Sequence, residues 1–324
     1  MKALVTGGAG FIGHHLVAAL VRRGDEVHVI DDLATGDSTR LDAVVHQIEF
    51  VEGSILDRAQ LARAMTGCEV VFHEAAIPSV SRSVVDPRRT NEVNVSGTIE
   101  VMLAAAEHGV QRVILAASSS VYGASPTLPC RESQPPDPLS PYATSKLAAE
   151  HYLHSLGNLH GIATIALRYF NVFGPGQDPR SEYAAVVPRF ITAALDGQRP
   201  TVNGSLEISR DFTFIDNVVG ANLLAASEAA PSGLTCNIAC GTRFSLGDLL
   251  EAIGAALGEK IDPILATARQ GDVPHSLADI GLAASELGYE VAVPFPEGIR
   301  RTVEWYRGRR ADGGQSADAA PSAH

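Results

Sequence analysis

A tyrosine and a lysine four residues apart are the side chains of this chain best placed to do chemistry. A helix puts the Tyr142 phenol and the Lys146 ammonium on one face, one turn apart. Ser140 and Pro141 suit the N-cap and first turn of that helix. The cation and the helix dipole are expected to lower the pKa of Tyr142, ordinarily about 10, enough to make a usable base. Taken alone, the spacing also fits a surface tyrosine beside a solvated lysine.

The start of the chain has the pattern of a dinucleotide site. A short apolar strand leads into Gly7, Gly10 and Gly13, a helix follows to about Arg23, and residues 26–30 form a second strand. Glycines at this spacing let the backbone turn, approach a pyrophosphate and pack helix on strand. The helix N-terminus then faces the phosphates. The order of elements favours a βαβ cofactor unit over an ordinary glycine turn.

Two acids end the second predicted strand and bear on which dinucleotide binds. A carboxylate at Asp31 or Asp32 can accept hydrogen bonds from ribose hydroxyls and would repel a 2′-phosphate. The next arginine along the chain is Arg40. NAD is therefore favoured over NADP, although one of the two acids could equally lie in a solvated loop.

Composition excludes several classes of partner. The chain of 324 residues has a net charge of −12 and no basic stripe, so nucleic acid is not expected. No apolar run is long enough to span a bilayer and no signal peptide is evident, so we expect a cytoplasmic protein without a membrane partner. The cysteines lack metal-ligand spacing, so no metal is predicted and reduced core thiols are expected. They are Cys68, Cys130, Cys236 and Cys240.

Strands and helices alternate well beyond the first unit. Further strands are predicted at residues 48–52, 69–73, 112–117 and 163–167. This alternation is typical of an α/β fold with a Rossmann-type, doubly wound parallel sheet. We expect an NAD-binding domain over residues 1–175, to which later segments return, and a smaller α/β substrate domain over 176–308. The tail, 309–324, has the composition of a disordered segment.

Several ordered motifs together carry a family resemblance. They are residues 6–13, 72–76, Asn94 with Gly97 and Thr98, 118–123, Tyr142 with Lys146, 168–174, 209–212 and 269–272. Taken together they resemble the extended short-chain dehydrogenase/reductase superfamily, in its nucleotide-sugar epimerase branch. The resemblance covers nearly the whole chain except the tail.

The resemblance implies catalytic and cofactor residues. Ser118 resembles the hydroxyl that binds the reacting sugar oxygen, Tyr142 the proton-transferring base, and Lys146 the residue that holds the nicotinamide ribose. Ser54 stands where many relatives carry an aspartate that contacts adenine. The implied NAD contacts are Gly7, Gly10, Phe11, Ile12, Gly13, Asp31, Asp32, Ser54, Ile55, Ala75, Ala76, Asn94, Tyr142, Lys146 and Tyr169.

Substrate residues follow from the same resemblance. Asn171 resembles a ligand of the substrate diphosphate, and Arg210 and Arg269 resemble its charge partners. Asp272 resembles a contact to the nucleotide ribose. Ser276 resembles a gate beside the sugar's 2-substituent, or packs locally. The implied substrate contacts are Ser118, Ser119, Ser120, Asn171, Val187, Arg210, Arg269, Asp272 and Ser276.

Enzymes of this branch catalyse several reactions that share a first step, in which a sugar hydroxyl loses its proton while hydride passes to NAD. A 4,6-dehydratase then needs an acid directly after Ser118, where this chain has Ser119 and Ser120. We therefore expect 4-epimerisation of a UDP-sugar, UDP-glucose/UDP-galactose or the N-acetyl pair. Other enzymes of the branch (a uronate epimerase, a dehydratase or a 4-keto reductase) and a non-catalytic NAD sensor remain alternatives. A homodimer through helices around residues 90–108 and 142–157 is also implied.

Overall fold

A computed structural model of the protein describes residues 1–124, 127–179, 185–267 and 274–313. Its strands are β1 (Lys2–Thr6), β2 (Glu26–Asp31), β3 (Ile48–Glu52), β4 (Val70–His73), β5 (Arg112–Ser118), β6 (Ala163–Tyr169), β7 (Val172–Phe173), β8 (Thr201–Asn203), β9 (Ser209–Arg210), β10 (Thr213–Phe214), β11 (Leu234–Ile238), β12 (Phe244–Ser245) and β13 (Ile264–Ala266). Its helices are α1 (Phe11–Arg23), α2 (Arg58–Met65), α3 (Val80–Val85), α4 (Pro87–Asn91), α5 (Gly97–Glu107), α6 (Pro141–His160), α7 (Val186–Leu195), α8 (Ile215–Ala225), α9 (Leu246–Leu257), α10 (Gly281–Leu287) and α11 (Phe295–Gly313).

Seven of these strands form one parallel sheet in the order β11-β6-β5-β4-β1-β2-β3. Helices cover both of its faces. One apolar core joins the sheet to α1 and α8, with Leu16 and Val218 among its fully buried members. The other joins the opposite face to α2, α5 and α6 through Met65, Met102 and Leu153. The doubly wound α/β fold predicted from the alternation is confirmed.

The first βαβ unit follows the sequence closely because glycines occupy the places that side chains cannot. Gly24 ends α1 in the left-handed conformation, with φ of 87°. Gly7 also has a positive φ, 69°, and a Cβ there would lie 2.7 Å from the Ala75 backbone. A Cβ on Gly13 would lie 2.2 Å from the Gly7 carbonyl oxygen. Glycine at these positions therefore lets β1, α1 and the segment after β4 approach one another closely at one edge of the sheet.

Helix α6 begins as the sequence predicts. The Ser140 hydroxyl accepts a hydrogen bond from the Ala143 amide at 3.1 Å, and Pro141 takes the first helical position. A second hydroxyl, that of Ser83 in α3, accepts from the Tyr142 amide at 3.0 Å. Two of the unpaired N–H groups at the helix start are thereby satisfied.

The second half of the chain both returns to the sheet and leaves it. Strand β11 adds to β6 in parallel register, and α8 packs on α1. Three two-stranded sheets, β10-β7, β12-β9 and β13-β8, lie outside the central sheet. None of the helices in the described ranges combines the length and apolar character needed to cross a membrane. The division at residue 175 stays a prediction.

The C-terminal boundary differs from the sequence-based expectation. Helix α11 continues through Gly313, whereas the disordered tail was predicted to begin at residue 309. The helix is anchored upstream by Ile299 and Val303, which are fully buried. Residues 309–313 continue this helix despite their polar composition, and the disordered tail stays a prediction. Residues 314–324 lie outside the described part of the chain.

Helix α6 also bears on the predicted homodimer. It packs on α5 within the chain, and its outer side exposes Tyr152 and Leu159, at 44% and 74% of their full surface. Exposed apolar side chains of this size are compatible with an interface. The dimer stays a prediction.

Candidate active site

The predicted catalytic side chains converge at the carboxyl edge of the sheet. Ser118 is the last residue of β5, and Tyr142 and Lys146 lie in the first turns of α6, which packs on β5. The Lys146 ammonium donates to the Ala116 carbonyl oxygen at 2.8 Å. The sequence therefore brings a hydroxyl, a phenol and an ammonium to one place from two elements.

A short chain of hydrogen bonds leads to Tyr142. The amide and the hydroxyl of Ser120 both donate to the Ser118 hydroxyl oxygen, at 3.2 and 2.9 Å. The Ser118 hydroxyl hydrogen is thus left for the Tyr142 oxygen, with which it forms a hydrogen bond. The order of donors therefore runs from Ser120 through Ser118 to Tyr142.

The pKa of Tyr142 differs from the sequence-based expectation. Burial raises the pKa of this phenol above its ordinary value, and the hydrogen bond with Ser118 opposes the shift without reversing it. Lysine and helix dipole were expected to lower it. Desolvation of the phenolate is the largest cause of this shift, and it disfavours the charged form.

Burial also perturbs the pKa of Lys146. The side chain is 5% exposed, and burial lowers the pKa of its ammonium to about 8, against the carboxylates of Glu74 and Glu150, which raise it. Loss of hydration disfavours the charged form of Lys146, and the two nearby carboxylates partly offset this effect. The ammonium can therefore lose its proton in mildly alkaline solution.

A cavity of about 440 Å³ opens beside these residues and extends to the glycine turn. Of the residues predicted to bind NAD, all but Asn94 line it. The turn leaves backbone accessible, and a Cβ on Gly10 would lie 3.0 Å from the Gly7 oxygen. This cradle, with the N-terminus of α1 behind it, fits a pyrophosphate. The residues present therefore fit a dinucleotide with its reactive end at Tyr142.

The two acids after β2 have different surroundings. Asp31 is 8% exposed and accepts hydrogen bonds from the amides of Ala9 and Leu33, at 2.9 and 2.8 Å. Asp32 is exposed, and its carboxylate lies 3.8 Å from the Arg89 guanidinium. Both line the cavity. Asp31 thus also shapes the glycine turn, a role that the sequence did not indicate.

Asn94 is not among the residues that line the cavity, and its predicted contact with NAD stays a prediction. Its carboxamide oxygen accepts from the Ile77 amide at 2.8 Å, and its nitrogen donates to the Ser145 hydroxyl at 3.0 Å. Both ends of this buried side chain are used. Asn94 fixes the segment after β4 against α6.

The sequence left several cavity residues unassigned. Arg40 lines the cavity and donates to the carbonyl oxygens of Ala9 and Gly176, at 3.1 and 3.2 Å. Glu74 also lines it and accepts a hydrogen bond from the Tyr169 hydroxyl at 2.9 Å. The sequence could have indicated a site role for Glu74, because this charged residue directly follows a buried strand.

A second cavity of about 280 Å³ adjoins the first, and Ala185 lines both. Three predicted substrate residues, Asn171, Val187 and Arg210, line it. Its wall is largely apolar, with Phe190 among its buried side chains, and the Arg210 guanidinium adds positive charge. A flat base and a diphosphate are suited to such a lining.

Ser276 lies beside Asn171 and makes local hydrogen bonds. Its hydroxyl accepts from the Asn171 side-chain nitrogen at 3.0 Å and from the Asp211 amide at 3.3 Å. The same Asn171 nitrogen donates to the Asp211 carbonyl oxygen at 2.9 Å. Both hydrogens of the Asn171 amide are thereby used, so binding a diphosphate would require one to be released. Local hydrogen bonding by Ser276, one of its two predicted roles, is therefore present.

The remaining predictions divide between described and undescribed residues. Ser118, Ser119 and Ser120 line neither cavity, and only Ser118 is joined to Tyr142 by the contacts above. Arg269 and Asp272 lie outside the described residues. All four cysteines are free thiols, three of them buried and Cys240 half-buried, as expected for core cysteines.

Comparison with known proteins places the chain in a family. The model of the NAD-dependent epimerase/dehydratase family matches residues 3–239. The chain belongs to this family. It is 39% identical over 314 residues to a UDP-glucose 4-epimerase of Mycolicibacterium smegmatis, covering 95% of this chain and 99% of that one. It is also 34% identical to a dTDP-glucose 4,6-dehydratase of Streptomyces antibioticus, covering 96% and 94%.

A solved structure agrees with this assignment. The UDP-N-acetylglucosamine 4-epimerase from Methanobrevibacter ruminantium, in complex with UDP-N-acetylmuramic acid, has a TM-score of 0.90 and 37% identity. The match covers 95% of this chain and 98% of that one. The resemblance to nucleotide-sugar epimerases of the extended short-chain dehydrogenase/reductase superfamily is confirmed. The protein is an NAD-dependent enzyme of the epimerase/dehydratase type.

Proposed function

We propose that this family member is a UDP-sugar 4-epimerase, acting on UDP-glucose/UDP-galactose or on the corresponding N-acetylhexosamines. One observation carries the choice of reaction. Ser119 and Ser120 follow Ser118 where a dehydratase needs an acid, and the Ser120 hydroxyl is used as a donor to Ser118. A serine hydroxyl is a poor acid and a poor base at neutral pH, so elimination of water lacks its catalyst.

The first half of the proposed reaction uses the three converging side chains. Ser118 hydrogen-bonds the sugar O4, and Tyr142 takes the O4 proton as hydride leaves C4. Bound NAD supplies the hydride acceptor. Burial raises the pKa of Tyr142, so proton transfer needs positive charge nearby. We assign this charge to the Lys146 ammonium, which lines the same cavity.

In the second half of the reaction the sugar regains its proton and its hydride, and the configuration at C4 is inverted. The 4-keto sugar turns over, Tyr142 gives its proton back to O4, and C4 receives hydride on its other face. Neither step needs a further acid or base. Ser118 and Tyr142 therefore suffice as proton-handling groups for both directions.

The second cavity is where we place the nucleotide. Arg210 would face the diphosphate and the apolar wall near Phe190 would cover the base. The side chain of Ser276 is small, which leaves room for a 2-acetamido group. This supports N-acetylhexosamines as well as plain hexoses, with Arg269 and Asp272 as further contacts to the nucleotide.

A substrate panel tests the proposal. The purified protein is mixed separately with UDP-glucose, UDP-N-acetylglucosamine, UDP-glucuronate and dTDP-glucose, and the products are resolved by NMR. We expect a 4-epimer from at least one of the first two, at equilibrium with its substrate and without net NADH. A 4-keto-6-deoxy sugar, or turnover of UDP-glucuronate alone, would replace the proposal by a dehydratase or a uronate epimerase.

A further inference from the structure

Glu74 brings a carboxylate into the wall of the cofactor cavity. It follows β4 directly, at the carboxyl edge of the sheet, and lines the cavity together with Tyr142 and Lys146. The acids Asp31 and Asp32 line the same cavity beyond the glycine turn, at the end of β2. Glu74 thus shares a cavity wall with the groups proposed to take part in proton transfer.

A chain of two hydrogen bonds fixes the Glu74 carboxylate. The Asn222 side-chain nitrogen, fully buried in α8, donates to the Tyr169 hydroxyl oxygen at 2.8 Å. Because an amide nitrogen only donates, the Tyr169 hydroxyl hydrogen is free to point to Glu74 Oε1, 2.9 Å away. The chain crosses from α8 through β6 to the end of β4. Its direction is compatible with Glu74 as an ionised acceptor.

The charge of Lys146 also acts on Glu74. The ammonium lowers the pKa of the Glu74 carboxyl, and the carboxylate raises the pKa of the ammonium. Burial dominates for Glu74 and raises its pKa to about 7, against the Tyr169 hydrogen bond and Lys146. The group is therefore ionised in mildly alkaline solution, inside a cavity where charge is weakly screened.

We propose that Glu74 is a positioning residue that favours oxidised over reduced NAD, through a carboxylate fixed by Tyr169 and Asn222. The oxidised nicotinamide ring carries a positive charge that the reduced ring lacks, so a fixed carboxylate binds the two forms unequally. An epimerase must begin every turnover with NAD oxidised. The inference rests on the proposed function, which puts the reactive end of the cofactor beside Tyr142.

The test compares the two forms of the cofactor without any sugar. Full-length holoenzyme is equilibrated at about pH 8.5 with defined mixtures of NAD⁺ and NADH, freed of unbound cofactor, and its bound fractions are measured by chromatography. In Glu74→Gln, which keeps an acceptor for Tyr169 but removes the charge, we expect the preference for NAD⁺ to fall about tenfold. Glu69→Gln removes an equal charge from the exposed position just before β4 and should leave the ratio unchanged.

Glu74→Asp separates charge from packing. It keeps the carboxylate on a shorter stem, and we expect it to retain most of the wild-type preference even if Glu74→Gln folds poorly. Thermal unfolding of each variant monitors folding. A Glu74→Gln ratio within twofold of wild type, or an equal loss in Glu74→Asp and Glu74→Gln, would overturn the inference. The experiment measures only the bound cofactor. Its outcome therefore tests the role of Glu74 independently of which sugar product the enzyme forms.

Discussion

The hydroxyl of Ser120 donates to the hydroxyl of Ser118 over 2.9 Å at the carboxyl end of β5. This contact assigns Ser120 to the orientation of Ser118. In the proposed reaction, the hydrogen bond from Ser120 orients the Ser118 hydroxyl so that its hydrogen points toward the sugar O4, the atom whose proton Tyr142 removes. The same position would have to carry an acid or base for elimination of water, and the two uses exclude each other.

Removal of the Ser120 hydroxyl should weaken the proposed reaction without abolishing it. In Ser120→Ala the backbone amide still donates to Ser118, so we expect kcat to fall by about tenfold or less, the value of one hydrogen bond. Ser118→Ala should cost more, since it removes the contact to the sugar. Steady-state kinetics with the preferred UDP-sugar measures both, and Ser155→Ala on the exposed side of α6 is the control. A Ser120→Ala enzyme slower than Ser118→Ala would contradict the assigned order of donors.

Tyr142→Phe should lower kcat by roughly 10² to 10⁴, because it removes the group proposed to transfer the proton. Bound NAD should be retained, since the glycine turn and the acids at β2 are untouched. The matched control is Tyr152→Phe, ten residues along the same helix at a side chain that is 44% exposed. Activity and cofactor content are measured on the same preparations. Equal activity of the two variants would remove Tyr142 from the mechanism.

The pH dependence of kcat/KM should reflect the ionisation of Lys146. Burial lowers the pKa of its ammonium to about 8, so the charge is present below that pH and is lost as the pH rises through it. We expect kcat/KM to decline on the alkaline side near pH 8. Arginine stays protonated throughout, so the profile of Lys146→Arg, whatever its height, should lack this decline. An identical alkaline limb in both enzymes would assign the decline to another group.

The buried pair of Arg168 and Glu150 should matter for stability. The guanidinium donates to both carboxylate oxygens, the shorter contact being 2.7 Å, and both side chains are under a tenth exposed. Arg168→Met leaves the Glu150 carboxylate buried without its partner, which typically costs about 3–5 kcal/mol. Urea unfolding measures the loss. Arg300→Met, which breaks exposed pairs on α11, is the control and should cost much less. Equal losses would show that burial does not set the value of the pair.

The strands of the sheet were predictable because buried parallel strands are short apolar runs bounded by turns. The predicted strand at residues 48–52 matches β3 at both ends, and the Ser140 cap was identified from residue type alone. Local rules were sufficient for these features, since each depends on neighbours in sequence.

The parts that were missed depend on contacts distant in sequence. The hydrogen bond from Asn94 to Ser145, which lies 51 residues later, was not predicted. The pKa of Tyr142 was expected to fall, and the burial that raises it comes from the folded surroundings. Glu74 meets Tyr169 across 95 residues. Spacing along the chain carries no information on such pairs or on desolvation.

The most direct test of the central claim follows the hydride at C4. UDP-glucose or UDP-N-acetylglucosamine carrying deuterium at C4 is incubated with the enzyme in ordinary water, and the product is examined by NMR and mass spectrometry. A 4-epimerase that removes and returns the same hydride gives the 4-epimer with deuterium still at C4. Deuterium found at another carbon, or lost to solvent, would contradict the proposed mechanism.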